Sequence, residues 1–186
     1  MKILILDGCA VEQLAVAWLV ESCRARGWEA EVLALRGRQI APCTGCFGCW
    51  LRTPGICTTD DDGREVLRQI VQSDGTLLLT PVTFGGYSAL LKRALDRIIP
   101  MISPFFATVN GETHHRLRYT RQPRFGAVGL AGDDDAEEAT TFRTLAARNA
   151  LNWHEPQPVI ALLRADTDAA AARALLATTF DAAGWK

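Results

Sequence analysis

A chain of 186 residues with 48% hydrophobic and 22% charged residues can bury one substantial core, and its composition excludes a disordered polymer. The net charge of −1 removes the electrostatic basis for nucleic-acid binding or attachment to an anionic membrane surface. No apolar run approaches the ~20 residues that span a bilayer, and Lys2-Ile3-Leu4-Ile5-Leu6 directly after Met1 lacks the anatomy of a signal peptide. A single domain over residues 1–186 is expected, in the cytoplasm, where cysteines serve more often as ligands or catalysts than as disulfide staples.

Lys2 to Asp7 is a short apolar run ending at Gly8, as expected of a strand buried on both faces. From Val11 to Arg26, Val11, Leu14, Ala15, Trp18 and Leu19 recur at helical spacing, and Gly27 supplies the stop. Trp28 to Leu35 reads as a second strand. A cysteine-rich loop follows and ends in Asp60-Asp61-Asp62, any of which can cap a helix running to Ser73 with Val66, Leu67, Ile70 and Val71 inward. Thr76 to Thr80 is a core strand, and Pro81 to Tyr87 a loop before a helix from Ser88 to about Ile99. Residues 100–123 show no clear period and read as a long functional or interface loop. Phe125 to Leu130, Asp135 to Asn152, Val159 to Leu163 and Thr167 to Ala183 then give two further strand–helix pairs.

Five strand–helix pairs in strict alternation predict a parallel sheet covered on both faces. Ligands bind such sheets outside the carboxyl ends of the strands, near the switch point in strand order. That selects the loops 8–12, 36–61, 81–87 and 131–135.

The densest chemistry lies in the second of these. Cys43, Cys46, Cys49 and Cys57 follow a C-x2-C-x2-C-x7-C pattern, with Gly45 and Gly48 between them. The repeated short spacing lets thiols converge on one centre, as glycines relieve the crowding. A 4Fe–4S cluster needs four thiolates; zinc also takes four, usually as two separated pairs; a loop of free thiols is the plainer alternative. Cys9 follows the first strand where a helix N-terminus favours a thiolate, but Leu14 and Ala15 stand where a phosphatase-type loop needs arginine, so it reads as a packed residue, as does Cys23. His114 and His115 read as solvated loop histidines, Lys92 and Arg97 as surface or interface charges, and Asp133-Asp134-Asp135 as a helix cap.

Taken together, Ala41-Pro42-Cys43-x-Gly45-Cys46-x-x-Cys49, Asp60-Asp61-Asp62, Ser73-Asp74, Thr80-Pro81-Val82 and Ser88-x-x-Leu91-Lys92-x-x-x-Asp96-Arg97 resemble the NADPH-dependent FMN reductase-like and iron–sulfur flavoprotein families, most closely over residues 40–100. The resemblance implies a flavodoxin-like three-layer sandwich, with a five-stranded parallel sheet and helices on both faces. It implies an NAD(P)H-dependent oxidoreductase with FMN at the carboxyl edge, contacted by Gly8, Cys9 and the run Pro81, Val82, Thr83, Phe84, Gly85, Gly86 and Tyr87. Phe84 or Tyr87 would stack on the flavin or simply pack, and the paired glycines would let the backbone approach a flat ligand. In the cluster-bearing branch Cys43, Cys46, Cys49 and Cys57 would hold a 4Fe–4S centre that relays electrons to a small-molecule or protein acceptor. A homo-oligomer, a dimer or larger, is implied as well, with residues 100–123 as a contact. No catalytic side chain is singled out.

The first loop differs from the family pattern. Gly8-Cys9-Ala10-Val11-Glu12-Gln13 carries no hydroxyl for a phosphate. Glu12 is expected in the first helical turn, where a like charge within ~5 Å opposes a phosphate by on the order of 1–3 kcal/mol. The competing expectation is therefore a non-enzymatic scaffold that has lost FMN and uses its four cysteines as a metal or redox-sensing site.

Overall fold

The computed structural model describes residues 1–132, 136–164 and 166–186. Five strands form one parallel sheet in the order β2-β1-β3-β6-β7: β1 (Lys2–Asp7), β2 (Glu29–Ala34), β3 (Gly75–Pro81), β6 (Arg124–Ala131) and β7 (Val159–Arg164). The order reverses at β1, which pairs with β2 on one side and β3 on the other. This places the switch point between the loops that leave β1 and β3.

The apolar runs of β1 and β3 are continuous because both faces of the sheet are covered. Alternate side chains serve opposite layers. Ile3 and Ile5 join Leu77, Leu79 and Val128 under α1 (Leu14–Arg24) and α6 (Ala169–Ala182). Leu4, Leu6, Leu78 and Ala127 face α3 (Asp62–Gln72), α4 (Ala89–Leu95) and α5 (Ala136–Asn152), with Val66, Ile70, Leu91, Phe142 and Ala146 in the second core. The result is the expected three-layer sandwich.

Four local expectations are revised. The first helix begins at Leu14 rather than Val11, with Gln13 as an N-cap that makes no side-chain bond. Val11 and Leu14 are 65% and 75% exposed, so the buried stripe is Ala15, Leu19, Ser22 and Cys23. Glu12 thus precedes the helix. The helix after β3 is seven residues long and not twelve, and it gives way to a 3-10 turn at Ile99–Met101, because Pro100 cannot donate a helical hydrogen bond.

Residues 100–123 are also not a loop. β4 (Ile102–Val109) and β5 (Glu112–Leu117) pair antiparallel as a separate ribbon. Asn110 and Gly111, at φ 50° and 81°, form the left-handed two-residue turn that matches strand twist. The ribbon is fixed to α5 by two bonds from Arg148 to Glu112, at 2.6 and 2.8 Å, and by a 3.1 Å contact of His114 with Asn152. Asp133, Asp134 and Asp135 lie outside the described residues. No described helix is long and apolar enough to cross a membrane.

Candidate cofactor site

The two loops at the switch point are built differently. In the first, Gly8 donates to the Leu79 carbonyl at 2.8 Å, and its carbonyl accepts from Ser88 Oγ at 2.6 Å. A Cβ on Gly8 would stand 2.6 Å from Leu91 Cβ, so glycine is required for α4 to close against this turn. The Cys9 amide donates to Asp7 Oδ1 at 3.0 Å. The hydrogen-bonding groups of Gly8 and the amide of Cys9 are therefore already used within the fold. An anion at this loop would meet the amides beyond Cys9 at the start of α1, whose N-cap side chain makes no capping bond.

The Cys9 thiol is buried, and burial, helped by the Asp7 carboxylate, pushes its pKa up to about 12. It packs in the core under α1. Cys23 behaves likewise, its pKa also pushed to about 12 by burial. Asp7 itself is fully buried and paired with Arg36, which also feels the charge of Glu12. Arg36 was invisible as a site residue because it lies in the turn after β2; only the parallel pairing of β2 with β1 brings it to the first loop.

The second loop is a closed tight turn. Thr83 and Gly86 exchange two backbone hydrogen bonds, at 3.1 and 2.8 Å. Phe84 and Gly85 occupy the two left-handed positions, at φ 50° and 72°. A non-glycine residue is strained there, and the Phe84 ring stands 91% exposed at the tip. Tyr87 is the opposite case. Its ring sits edge-on to Phe142 at 5.9 Å and its hydroxyl accepts from Asn149 Nδ2 at 3.0 Å. Of the two aromatic residues, Phe84 is free to cover a flat ligand and Tyr87 is occupied in the core. Gly85 is needed because a Cβ would lie 2.5 Å from Thr141 Cβ; Val82 donates to the Leu130 carbonyl at 2.9 Å and anchors the turn to β6.

The cysteine loop runs between β2 and α3 and meets the 3-10 turn at Ile99–Met101 through Trp50. Gly48 starts a single helical turn, α2 (Gly48–Leu51), and a Cβ there would meet Thr58 Cγ2 at 2.5 Å. Thr58 can therefore close on the loop, where its hydroxyl lies 3.6 Å from Cys46 Sγ. The Gly48 amide, together with Thr58 and Thr44, holds the Cys46 thiol below its ordinary pKa. Burial raises that of Cys49, reinforced by the neighbouring Cys57, Cys43 and Cys46. One protein segment thus contains an easily ionised thiol and a reluctant one.

All four cysteines line one cavity of about 810 Å³, together with Gly86 and Tyr87 of the turn after β3 and Met101, Phe125 and Trp153 from the second core. The donors match a four-thiolate centre in number and kind, but among the described residues no three His, Cys, Asp or Glu groups are drawn together as a finished metal site. Phe47 and His115 of this lining belong to an aromatic row that runs beside the cavity. Phe106, His115, Trp50 and Phe47 follow one another with centroid separations of 4.8, 4.9 and 5.3 Å, and Trp50 Nε1 donates to the carbonyls of Ile99 and Ile102 at 3.3 and 3.1 Å. The ribbon and the cysteine loop therefore form one wall. His115 belongs to that wall and is not a solvated loop side chain.

Arg97 is the largest departure from expectation. It is 2% exposed, not a surface charge. Its guanidinium forms a two-pronged pair with Asp61, both bonds 2.8 Å, and donates to the carbonyls of Ala41 at 2.6 Å and Thr59 at 3.3 Å. Asp61 is also the cap of α3, accepting from Gly63 N at 2.9 Å, and accepts from Ala41 N at 2.9 Å. Burial alone would raise the Asp61 carboxyl, but Arg97 and those amides outweigh it and hold the pKa below its ordinary value. Lys92, by contrast, is exposed and paired with Asp96 at 2.5 Å.

Residues 1–118 match the family described as NADPH-dependent FMN reductase. An iron–sulfur flavoprotein of Methanocaldococcus jannaschii is 36% identical over 88 residues, 47% of this chain and 45% of that protein. One of Methanosarcina thermophila is 32% identical over 91 residues, 49% and 47% of the two chains. The matched stretch thus spans about half the length of these relatives. Among solved structures, the NAD(P)H:quinone oxidoreductase of Methanothermobacter marburgensis superposes with a TM-score of 0.65 at 15% identity, over 98% of this chain and 97% of that one. An FMN-dependent NADH-azoreductase of Bacillus anthracis, in complex with FMN, gives 0.59 at 17% identity over the same shares. At such identities the structural likeness speaks to the fold alone.

Proposed function

Because the chain belongs to the NADPH-dependent FMN reductase family, we propose that it is an NAD(P)H-dependent oxidoreductase carrying FMN at the carboxyl edge of β1 and β3, with a 4Fe–4S cluster on Cys43, Cys46, Cys49 and Cys57. The observation that carries this reading is the shared cavity: the cysteine loop and the Gly86–Tyr87 end of the flavin-type turn line one space. The iron–sulfur names of the relatives support the cluster. So does the content of the loop, which brings four thiols, one of them easily ionised, to one wall.

In this reading the turn Pro81, Val82, Thr83, Phe84, Gly85, Gly86 and Tyr87 borders the flavin ring, with Phe84 covering it. Gly8 and Cys9 shape the first loop from below, and the amides beyond them meet the phosphate. FMN held there would supply a hydride acceptor for NAD(P)H and a donor of single electrons. The chain's own part is to hold the ring beside Phe47, His115 and the thiols that line the same cavity. Arg36 supplies a cation near Glu12, which moderates the charge that opposes a phosphate. A small-molecule or protein acceptor would receive the electrons. The exposed Phe105 and Phe106 of the ribbon suit a contact between copies of the chain, consistent with a homo-oligomer.

The test is the composition and spectrum of anaerobically purified protein. Stoichiometric FMN, about four irons and four sulfides per chain, and bleaching of both chromophores by NAD(P)H are expected. A colourless protein that takes up no FMN on titration would sink the reading. Zinc in place of iron, without flavin, would instead establish a cysteine-based metal scaffold.

A further inference from the structure

The buried arginine in the wall of the cavity has no assigned task. We propose that Arg97 is the positioning residue of the four-thiol centre: its fork joins the two stems of the cysteine loop and holds Cys57 toward the other three sulfurs. This deepens the reading above and rests on it for the identity of what the thiols bind.

The loop between Ala41 and Asp61 spans about twenty residues, most of them exposed. Left to itself, so long a segment populates many conformers, and four thiols on it rarely converge. Arg97 acts where convergence is decided. It bonds the Ala41 carbonyl just before Cys43, and the Thr59 carbonyl and Asp61 carboxylate just after Cys57. The Thr59 carbonyl that it holds lies two residues beyond Cys57, and Arg97 and Cys57 line the same cavity. It approaches from the end of α4, a separate element of the scaffold, so the register of the loop is set from outside.

The surroundings are fitted to this clamp. Gly63 leaves room for it: a Cβ there would stand 2.9 Å from Asp61 Oδ1 and 3.3 Å from Arg97 Cζ. Arg97 Nε is buried without a hydrogen-bond partner, and the residue lines the cavity. A fork held at four acceptors is a geometry that lysine, a single point charge, cannot reproduce.

The experiment uses the full chain, freed of metal and reduced, and titrates it anaerobically with Co²⁺ as the probe. Wild type, Arg97→Lys, Arg97→Gln and the surface control Arg68→Gln are compared, with circular dichroism confirming that each is folded. Both Arg97 variants should bind Co²⁺ about 10–100-fold more weakly, as outer-shell partners of metal ligands do. At saturation each bound cobalt should lose about a quarter of its sulfur-to-metal absorbance, because Cys57 no longer reaches it. A merely structural role would change affinity without changing the number of sulfurs. Wild-type affinity in Arg97→Lys, or weaker binding with the full four-sulfur absorbance, overturns the proposal.

If wild type takes up neither Co²⁺ nor iron with sulfide, the cluster reading itself fails. The hold of Arg97 on Cys57 is then decided by alkylation with iodoacetamide at about pH 9.5, above the ordinary thiol pKa of ~8.5. Cys57, measured relative to Cys46 in the same chain, should react several-fold faster in Arg97→Gln. Equal ratios in both proteins refute the clamp as well.

Discussion

Replacing Phe84 with alanine should leave the fold nearly as stable as before while weakening FMN binding. A phenylalanine ring offers ~200 Å² for burial, and at 91% exposure only about a tenth of it is covered in the free protein. Removing ~20 Å² of contact at ~25 cal/mol per Å² destabilises by about 0.5 kcal/mol. For a chain of this size that lowers Tm by about 1–2 °C. Alanine keeps the penalty of the left-handed backbone at φ 50°, so no relief of strain obscures the comparison. Stacking on a flavin ring contributes about 0.5–1.5 kcal/mol beyond area, which predicts an FMN Kd roughly 2–12-fold higher. Quenching of FMN fluorescence gives the Kd, and thermal melting of the apoprotein gives the stability. A Tm lower by more than about 6 °C with unchanged FMN affinity would refute the reasoning, since it would show that the ring packs in the apoprotein and does not meet the flavin.

Other consequences can be checked alongside. Tyr87→Phe removes the acceptor of the Asn149 side chain and should destabilise by about 0.5–1.5 kcal/mol in a denaturant titration, with FMN affinity unaltered. Iodoacetamide at neutral pH should label Cys46 first, its pKa lowered by the Gly48 amide, and should reach Cys9 and Cys23 only on unfolding; early labelling of Cys9 by mass spectrometry would contradict its burial. The Glu112 carboxyl is held down to about 2 by Arg148 and then His114. Its folded pKa lies below the unfolded ~4.3, so its contribution is complete above that value and is lost as pH falls from about 5 toward 2. Hydrogen exchange of the ribbon amides should accelerate over that window in wild type and show no such step in Glu112→Gln.

The five strands were legible because apolar runs such as Leu77-Leu78-Leu79 carry one meaning once length and punctuation are counted. The cysteine loop was legible from spacing. The ribbon was missed although Asn110-Gly111 is a strong hairpin turn, because its flanks, with His114, His115, Arg116 and Thr113, lack the apolar alternation that marks a half-buried strand. Arg97 was misread for a different reason. Its partner Asp61 is thirty-six positions away, and sequence alone treats an arginine beside Asp96 as a surface pair. Gly85 shows the same limit: its freedom was attributed to a flat ligand, whereas the nearest obstacle is Thr141 on α5. Periodicity reports what each segment is, but not which distant side chain will be pressed against it.

The ribbon has a consequence for how this scaffold can diversify. β3 ends at Pro81 and β6 begins at Arg124, so about forty residues join the two strands, and the ribbon accounts for somewhat more than a third of them. Closing a loop scales as (3/2)RT ln n, so deleting or doubling such an insertion alters the entropy of joining β3 to β6 by only about 0.3–0.4 kcal/mol. The sheet would scarcely register the change, yet the wall beside the thiols would be rebuilt. Selection can therefore reshape the cavity beside the thiols by lengthening, shortening or resurfacing one hairpin, while the strands of the sheet remain untouched.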